Sequence, residues 1–197
     1  MAFVKKVFKA VSVDNLDKDT ILNIRLWRNQ DFVKKSSLQQ YDITEEEHLR
    51  FIERLKADVN RQMYVFYLDN DPFAVYQYEV NTDKREVTNG YYLISEEYQN
   101  LGYGAILIYA VNYINAYCLD VDYNYGTVLG SNDKQLRLQK GAILVDTKQS
   151  DIEIDGQLVD VYYYRTPIQP YDDNCRETRL VSKMVDIESI KNKKMYI

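Results

Sequence analysis

The sequence predicts an α/β (α+β) fold: a mixed central β-sheet flanked by helices on both faces. Three observations carry this prediction. Apolar periodicities run strand, helix, helix, three strands, helix, strand, helix, hairpin, an order that combines antiparallel and parallel pairing on one sheet. The stretch Tyr91–Ala116 passes from an apolar strand through a glycine-containing loop directly into a helical pattern. Asp155-Gly156, set between two strand patterns, marks a two-residue hairpin turn.

Taken in order, Val7–Val13 reads as a first strand, followed by a turn and cap cluster from Asp14 to Asp19. Ile21, Ile24 and Trp27 fall on one face of a helix that ends near Arg28-Asn29, with Asp19 placed to cap it. After a polar connector, Thr44 and Glu47 form a capping-box pattern, and Leu49, Ile52, Leu55 and Val59 make the apolar face of a second helix running to about Asp58. Tyr64–Leu68 and Phe73–Val80 are hairpin strands around an Asp-Asn-Asp-Pro turn. Val87–Ile94 is the next strand, with a bulge expected at Asn89-Gly90. The helix after the glycine loop shows Ile106, Ala110, Val111, Ile114 and Tyr117 at three- and four-residue spacing. Asp122–Gly130 is a strand, Asn132–Gly141 a short helix stopped by its glycine, and 142–165 the hairpin. The chain divides into a domain over 1–167 and a C-terminal extension over 168–197, in which Ser182–Lys191 could form a terminal helix.

Composition narrows the class. In 197 residues with a formal charge of −5, no apolar run reaches the length of a membrane span, and the balance speaks against a non-specific nucleic-acid binder. The N-terminus lacks the apolar core of a signal peptide, and two cysteines make no disulfide framework, so a cytoplasmic protein is expected. One histidine and two cysteines make no metal-binding pattern, and no metal is expected.

The chemistry concentrates at Gln99-Asn100-Leu101-Gly102-Tyr103-Gly104-Ala105. A helix N-terminus leaves N–H groups unpaired and carries partial positive charge, and glycines there let a bulky anion reach bare backbone. The expected ligand is a phosphate or pyrophosphate. No Gly-Lys-Ser/Thr follows, which excludes the P-loop, and no third glycine follows at dinucleotide-fold spacing. What remains is Gln-x-x-Gly-x-Gly, filled by Gln99, Gly102 and Gly104.

That pattern resembles the cofactor loop of the GNAT family of N-acetyltransferases. The element order from about Val7 to Thr166 is similar to the fold of that family. The resemblance implies acetyl-CoA as cosubstrate. Main-chain N–H groups of Leu101, Gly102, Tyr103, Gly104 and Ala105 would hold its pyrophosphate, and the backbone of Leu93 and Ile94 would hold the acetyl and pantetheine portion, splayed from the next parallel strand. Asn132, in Asn-x-Lys-Gln-Leu-Arg-Leu, resembles the residue that contacts the pantetheine arm. Two family features are missing. Gln139 stands where a tyrosine often protonates the departing thiolate, and Thr88-Asn89 stand where many relatives carry a glutamate base. Glu79 on the preceding strand is the substitute base by location, although an exposed strand glutamate fits it equally.

Leu26-Trp27-Arg28-Asn29 followed by Ile43-Thr44-x-Glu46-Glu47-His48 is similar to the nucleotide-aminosugar acetyltransferases of flagellin-sugar (pseudaminic acid) synthesis, and also to ribosomal-protein alanine acetyltransferases. The resemblance implies transfer of acetyl to a primary amine of a small molecule, with a nucleotide-linked aminosugar first in line. Arg28 would meet a phosphate and Trp27 a sugar or base, although Trp27 shares a face with Ile24 and also reads as core. His48 is expected at the surface. A protein N-terminus or a polyamine is the alternative acceptor, and a coenzyme A-binding module without turnover is the non-enzymatic alternative. A homodimer is compatible with all of these.

Overall fold

The computed structural model describes residues 5–139, 142–154, 156–170 and 175–196. The Gly141 helix stop and Asp155 of the hairpin turn lie outside the described residues.

One eight-stranded sheet organises the chain. Its strands are β1 (Lys6–Ser12), β2 (Arg61–Leu68), β3 (Asp71–Asn81), β4 (Glu86–Leu93), β5 (Tyr123–Leu129), β6 (Ile143–Ile154), β7 (Gln157–Pro167) and β8 (Val185–Asp186). Their spatial order is β6-β7-β5-β4-β3-β2-β1-β8. β1 through β4 are antiparallel neighbours, β4–β5 and β1–β8 are parallel, and β5, β7 and β6 are antiparallel. The mixed sheet is the one the sequence predicts. Strand alternation sends side chains to two separate cores. Phe8, Tyr64, Phe66, Ala74 and Tyr76 face the helix of the glycine loop, while Met63, Val65 and Val75 face the N-terminal helices.

The N-terminal helices are α1 (Lys18–Arg28), α2 (Asp31–Lys34) and α3 (Glu45–Ala57). Asp17, rather than the expected Asp19, caps α1: its Oδ1 accepts from Thr20 N at 2.6 Å. The capping box of α3 forms as expected, with Thr44 N donating to Glu47 Oε2 at 2.8 Å and Glu47 N to Thr44 Oγ1 at 3.3 Å. Val59 lies past the end of α3, 97% exposed, and is not part of its apolar face. His48 is also a correction: it is buried, and its Nε2 lies 2.7 Å from the carbonyl of Ile21. It stands four positions before Ile52 on the same stripe, so the helix carries it inward against α1.

On the other face lie α4 (Tyr103–Tyr117), α5 (Asp133–Leu138), α6 (Arg176–Val181) and α7 (Ile187–Ile190). α4 buries Ile106, Leu107, Tyr109, Ala110, Val111, Tyr113, Ile114 and Asn115, a wider face than its sequence spacing suggests. The reason is the C-terminal segment, which covers its outer side. Ser182–Lys191 is not one helix. The segment instead contributes α6, β8 beside β1, and α7, with Val181, Val185, Ile190 and Tyr196 buried in the core. Tyr64 and Tyr113 donate hydrogen bonds to its carbonyls at Tyr196 and Lys191, both at 2.9 Å.

β4 runs without the bulge expected at Asn89-Gly90: its register against β3 is continuous. Gly90 instead faces a cross-strand side chain that would have to shift to admit a larger residue. A Cβ there would stand 3.0 Å from Nε2 of Gln77, its cross-strand partner.

Candidate cofactor and acceptor site

The site begins where two parallel strands part. The β4–β5 register ends at the pair Thr88 and Tyr125. β4 continues to Leu93 on β3, and β5 continues to Leu129 on β7, so a gap opens between them. At its vertex Asn89 Nδ2 donates to Asn124 Oδ1 at 3.1 Å, a side-chain tie where the backbone ladder stops. Asn89 Oδ1 in turn accepts from the hydroxyl of the fully buried Tyr76 at 2.9 Å.

Backbone direction alternates along β4. Ile94 N donates to Phe73 O at 3.0 Å, and Ile94 O accepts from Gln30 Nε2 at 2.7 Å. Both main-chain groups of Ile94 are therefore engaged away from the gap. By alternation the main chain of Leu93 and Tyr91 faces the gap. Of the two residues expected to offer backbone there, Leu93 does and Ile94 does not.

The glycine loop closes one mouth of the gap. Asn100 (φ 62°) and Gly102 (φ 89°) both adopt the left-handed region, which turns the chain sharply into α4. Gly102 is the N-cap, and its carbonyl accepts from Ala105 N at 3.0 Å and Ile106 N at 3.3 Å. Ala105 is thus spent on the turn, which leaves Gly102, Tyr103 and Gly104 to supply the unpaired N–H groups of the helix start. The two glycines differ in their surroundings. A Cβ at Gly102 would meet Met184 Sδ at 2.7 Å, whereas at Gly104 nothing lies within 4 Å. The first turn of α4 holds no acidic residue to compete with an anion.

α5 leans across the same mouth. Lys134 Nζ donates to Gln99 Oε1 at 3.1 Å, and Gln135 Nε2 donates to the Tyr91 hydroxyl at 2.8 Å. Asn132 caps α5, its Oδ1 accepting from Gln135 N at 3.1 Å. Gln139 ends the helix with its Nε2 3.5 Å from Gln135 O. Loop 99–104, Tyr91 and the start of α5 are therefore one cluster. Burial raises the pKa of the Tyr91 phenol, and the hydrogen bond from Gln135 partly opposes that.

The N-terminal helices cover the other face of β4. Tyr92 sends its hydroxyl to Ile24 O at 3.4 Å, and Gln30 reaches Ile94, so the end of α1 sits over the open part of the strand. Trp27 packs into the core there. Arg28 lies beside Tyr92. Its Nη2 donates to Gln39 O at 3.2 Å, but Nη1 is buried without a hydrogen-bond partner, and so is Arg25 Nε one turn earlier. Burial lowers the Arg28 pKa. An unmet buried donor costs on the order of 1–3 kcal/mol, more when charged. No sequence pattern announces Arg25, because its lack of a partner arises only once α1 packs.

Glu79 does not join this cluster. It pairs across the sheet with Thr88, at the closed end of the gap, and its side chain is 62% exposed with Oε2 3.5 Å from Arg61 Nε.

No family model and no curated protein sequence matches the chain. Solved structures do. The chain is similar to spermidine N-acetyltransferase from Vibrio cholerae, solved with CoA and spermine, at TM-score 0.70 and 16% identity over 82% of this chain and 95% of that one. It is similar to the N-acetyltransferase PseH of Campylobacter jejuni at TM-score 0.59 and 23% identity, over 83% and 99%. It is also similar to a ribosomal alpha-N-protein acetyltransferase solved with coenzyme A, at TM-score 0.65 and 17% identity, over 85% and 97%. The fold is the GNAT fold. At these identities the likeness speaks for architecture.

Proposed function

We propose that this protein is an acetyl-CoA-dependent N-acetyltransferase acting on a primary amine of a small molecule. The observation that carries the reading is the left-handed Gly102 cap with its unpaired N–H groups, open at Gly104, at the mouth of the β4–β5 gap. Those features fit a pyrophosphate followed by a narrow arm carrying amides. Gly102, Tyr103 and Gly104 N–H would hold the pyrophosphate, with Gln99 and Leu101 shaping the loop. Leu93 main chain and Asn132 would meet the arm. The cosubstrate supplies the activated acetyl group. Several proteins of this fold, PseH of Campylobacter jejuni among them, are solved with coenzyme A or acetyl coenzyme A.

The chain's own residues then divide the work. The gap is entered from two faces, by the cofactor from the α4–α5 side and by the amine from the α1 side, so the two reactants meet across β4. Tyr91 is the phenol best placed to pass its proton from Oη to the leaving sulfur, standing in for the tyrosine that Gln139 replaces. Its lone pair accepts from Gln135, which leaves the O–H free to donate. Glu79 remains a candidate base only through a water chain, given its distance along the sheet from Leu93.

For the acceptor, the reading is a nucleotide-linked aminosugar, supported by Arg28 at the end of α1 and by the resemblance of Leu26-Trp27-Arg28-Asn29 and Ile43-Thr44-x-Glu46-Glu47-His48 to the nucleotide-aminosugar acetyltransferases. Incubation with acetyl-CoA and a panel of amines, followed by thiol release and mass analysis, tests the reading. Acetylated amine in step with free thiol is expected. Cofactor binding with no thiol release from any amine would leave only the coenzyme A-binding module.

A further inference from the structure

The sheet face turned to the N-terminal helices carries a carboxamide that the fold itself leaves unused. Val75 on β3 and Tyr92 on β4 pack into the core beneath those helices. Gln77 comes two residues after Val75, and Gly90 two before Tyr92, so both lie on that face, and they are cross-strand partners. Gly90 has no side chain, and the side chain of Gln77 lies in the space above it. A Cβ built on Gly90 would stand 3.0 Å from Gln77 Nε2, 3.2 Å from its Cγ and 3.5 Å from its Cδ. On the opposite side of β3 the partner of Gln77 is Met63, only 4% exposed. The carboxamide is thus carried away from the packed β2 side and over β4, toward the edge that β5 leaves after Thr88 and Tyr125. Gln77 is half-buried rather than sealed, and among the described residues none hydrogen-bonds to its carboxamide. Two polar neighbours on this face are already committed: the Tyr92 hydroxyl to Ile24 O at 3.4 Å, and Glu79 to Arg61 at 3.5 Å.

We infer that Gln77 binds and orients the acceptor amine, its carboxamide oxygen accepting an amine N–H at the α1-side mouth of the β4–β5 gap. This rests on the proposed acetyl transfer, and adds to it a residue that touches the nucleophile. A primary amine has two N–H groups and one lone pair. Donating one N–H to a fixed oxygen sets the direction of the lone pair, which is the orientation an attack on the thioester carbon requires. A carboxamide takes no proton, so Gln77 is not the base, and the proton of the attacking amine leaves to water. A neutral partner also differs from a carboxylate, which would favour the protonated, non-nucleophilic ammonium. Gly90 leaves the room in which this amide lies.

Two measurements test it. The first compares kcat/KM for the amine best used in the panel. Gln77→Met, of similar length but apolar, should lower it about tenfold, the worth of one hydrogen bond. Its acetyl-CoA affinity and melting temperature should stay those of the wild type, which a general disturbance of the sheet would not allow. Gln77→Glu keeps an accepting oxygen and should lose less than Gln77→Met. Unchanged kcat/KM in Gln77→Met, or an equal loss of acetyl-CoA affinity, would overturn the inference while leaving acetyl transfer standing. The second needs no turnover. The side-chain amide signal of Gln77 in a nitrogen–proton NMR spectrum, identified by its absence in Gln77→Met, is followed as each amine of the panel is added to protein saturated with coenzyme A. A shift with the amine that is acetylated is expected. A signal unmoved by every amine would overturn the inference, whether or not transfer is observed.

Discussion

Gly104→Glu separates cofactor binding from folding more cleanly than any other change in the loop. Gly104 has ordinary helical geometry, and no atom lies within 4 Å of the point a Cβ would occupy, so the new side chain enters open space. It lies in the first turn of α4, where replacing glycine removes a helix penalty of about 0.5–1 kcal/mol and a carboxylate gains about 0.3–1 kcal/mol from the helix dipole. The folded state should therefore be at least as stable as wild type. Binding should move the other way. At about 5 Å from a phosphate and an effective dielectric of about 20, each like-charge pair costs roughly 3 kcal/mol. That is more than a hundredfold in affinity. Calorimetry with acetyl-CoA and a thermal melt on the same sample read both quantities. A melting temperature at or above wild type, with binding lost, is the predicted result. Unchanged affinity would refute the loop as the phosphate cradle. Gly102→Glu is a poorer probe, because φ 89° and the Met184 side chain 2.7 Å from a Cβ make any substitution there a folding defect as well.

Other outcomes follow from the same structure. Gly102→Ala should cost about 1–2 kcal/mol from the left-handed backbone alone and lower the melting temperature by a few degrees. Tyr91→Phe should lower kcat about a hundredfold with acetyl-CoA affinity kept, since it removes only a proton donor; stopped-flow thiol release checks this. Deleting 168–197 should prevent stable folding, because Val181, Val185, Ile190 and Tyr196 leave the core at about 1.5–3 kcal/mol each; circular dichroism and melting measure it. His48 has its pKa lowered from 6.5 by burial, so the unfolded chain binds its proton more readily than the fold. Its stabilising contribution is complete above 6.5 and is lost as pH falls below that value, a slope that His48→Gln should flatten in denaturant titrations.

Local signals in the sequence were sufficient for the scaffold. The capping box at Thr44 and Glu47, the left-handed glycine before α4 and the strand alternation each depend on neighbours within a few residues, and each appears where the pattern puts it. The misses depend on contacts between distant segments. His48 is buried by α1, 27 residues away at Ile21. Asn89-Gly90 suggests a bulge along the strand alone, but Gly90 lies in continuous register opposite Gln77 across the sheet. The C-terminal segment becomes β8 only by lying against β1 at the opposite end of the chain. In the site, the glycine loop was legible, whereas Ala105 and Ile94 lose their free N–H groups to bonds visible only in three dimensions. Strand position points to Glu79 as a base, but the register sets it at the closed end of the gap beside Arg61. Arg25 had no sequence signal at all.

Acetyl transfer to an amine is tested most directly in one reaction containing the protein, acetyl-CoA and a phosphorylated amino sugar, with free thiol and acetylated amine both quantified. Equal amounts of the two products, at a rate well above the protein-free reaction, are predicted. Saturable acetyl-CoA binding with neither product formed from that sugar or from any other amine would contradict an acetyltransferase.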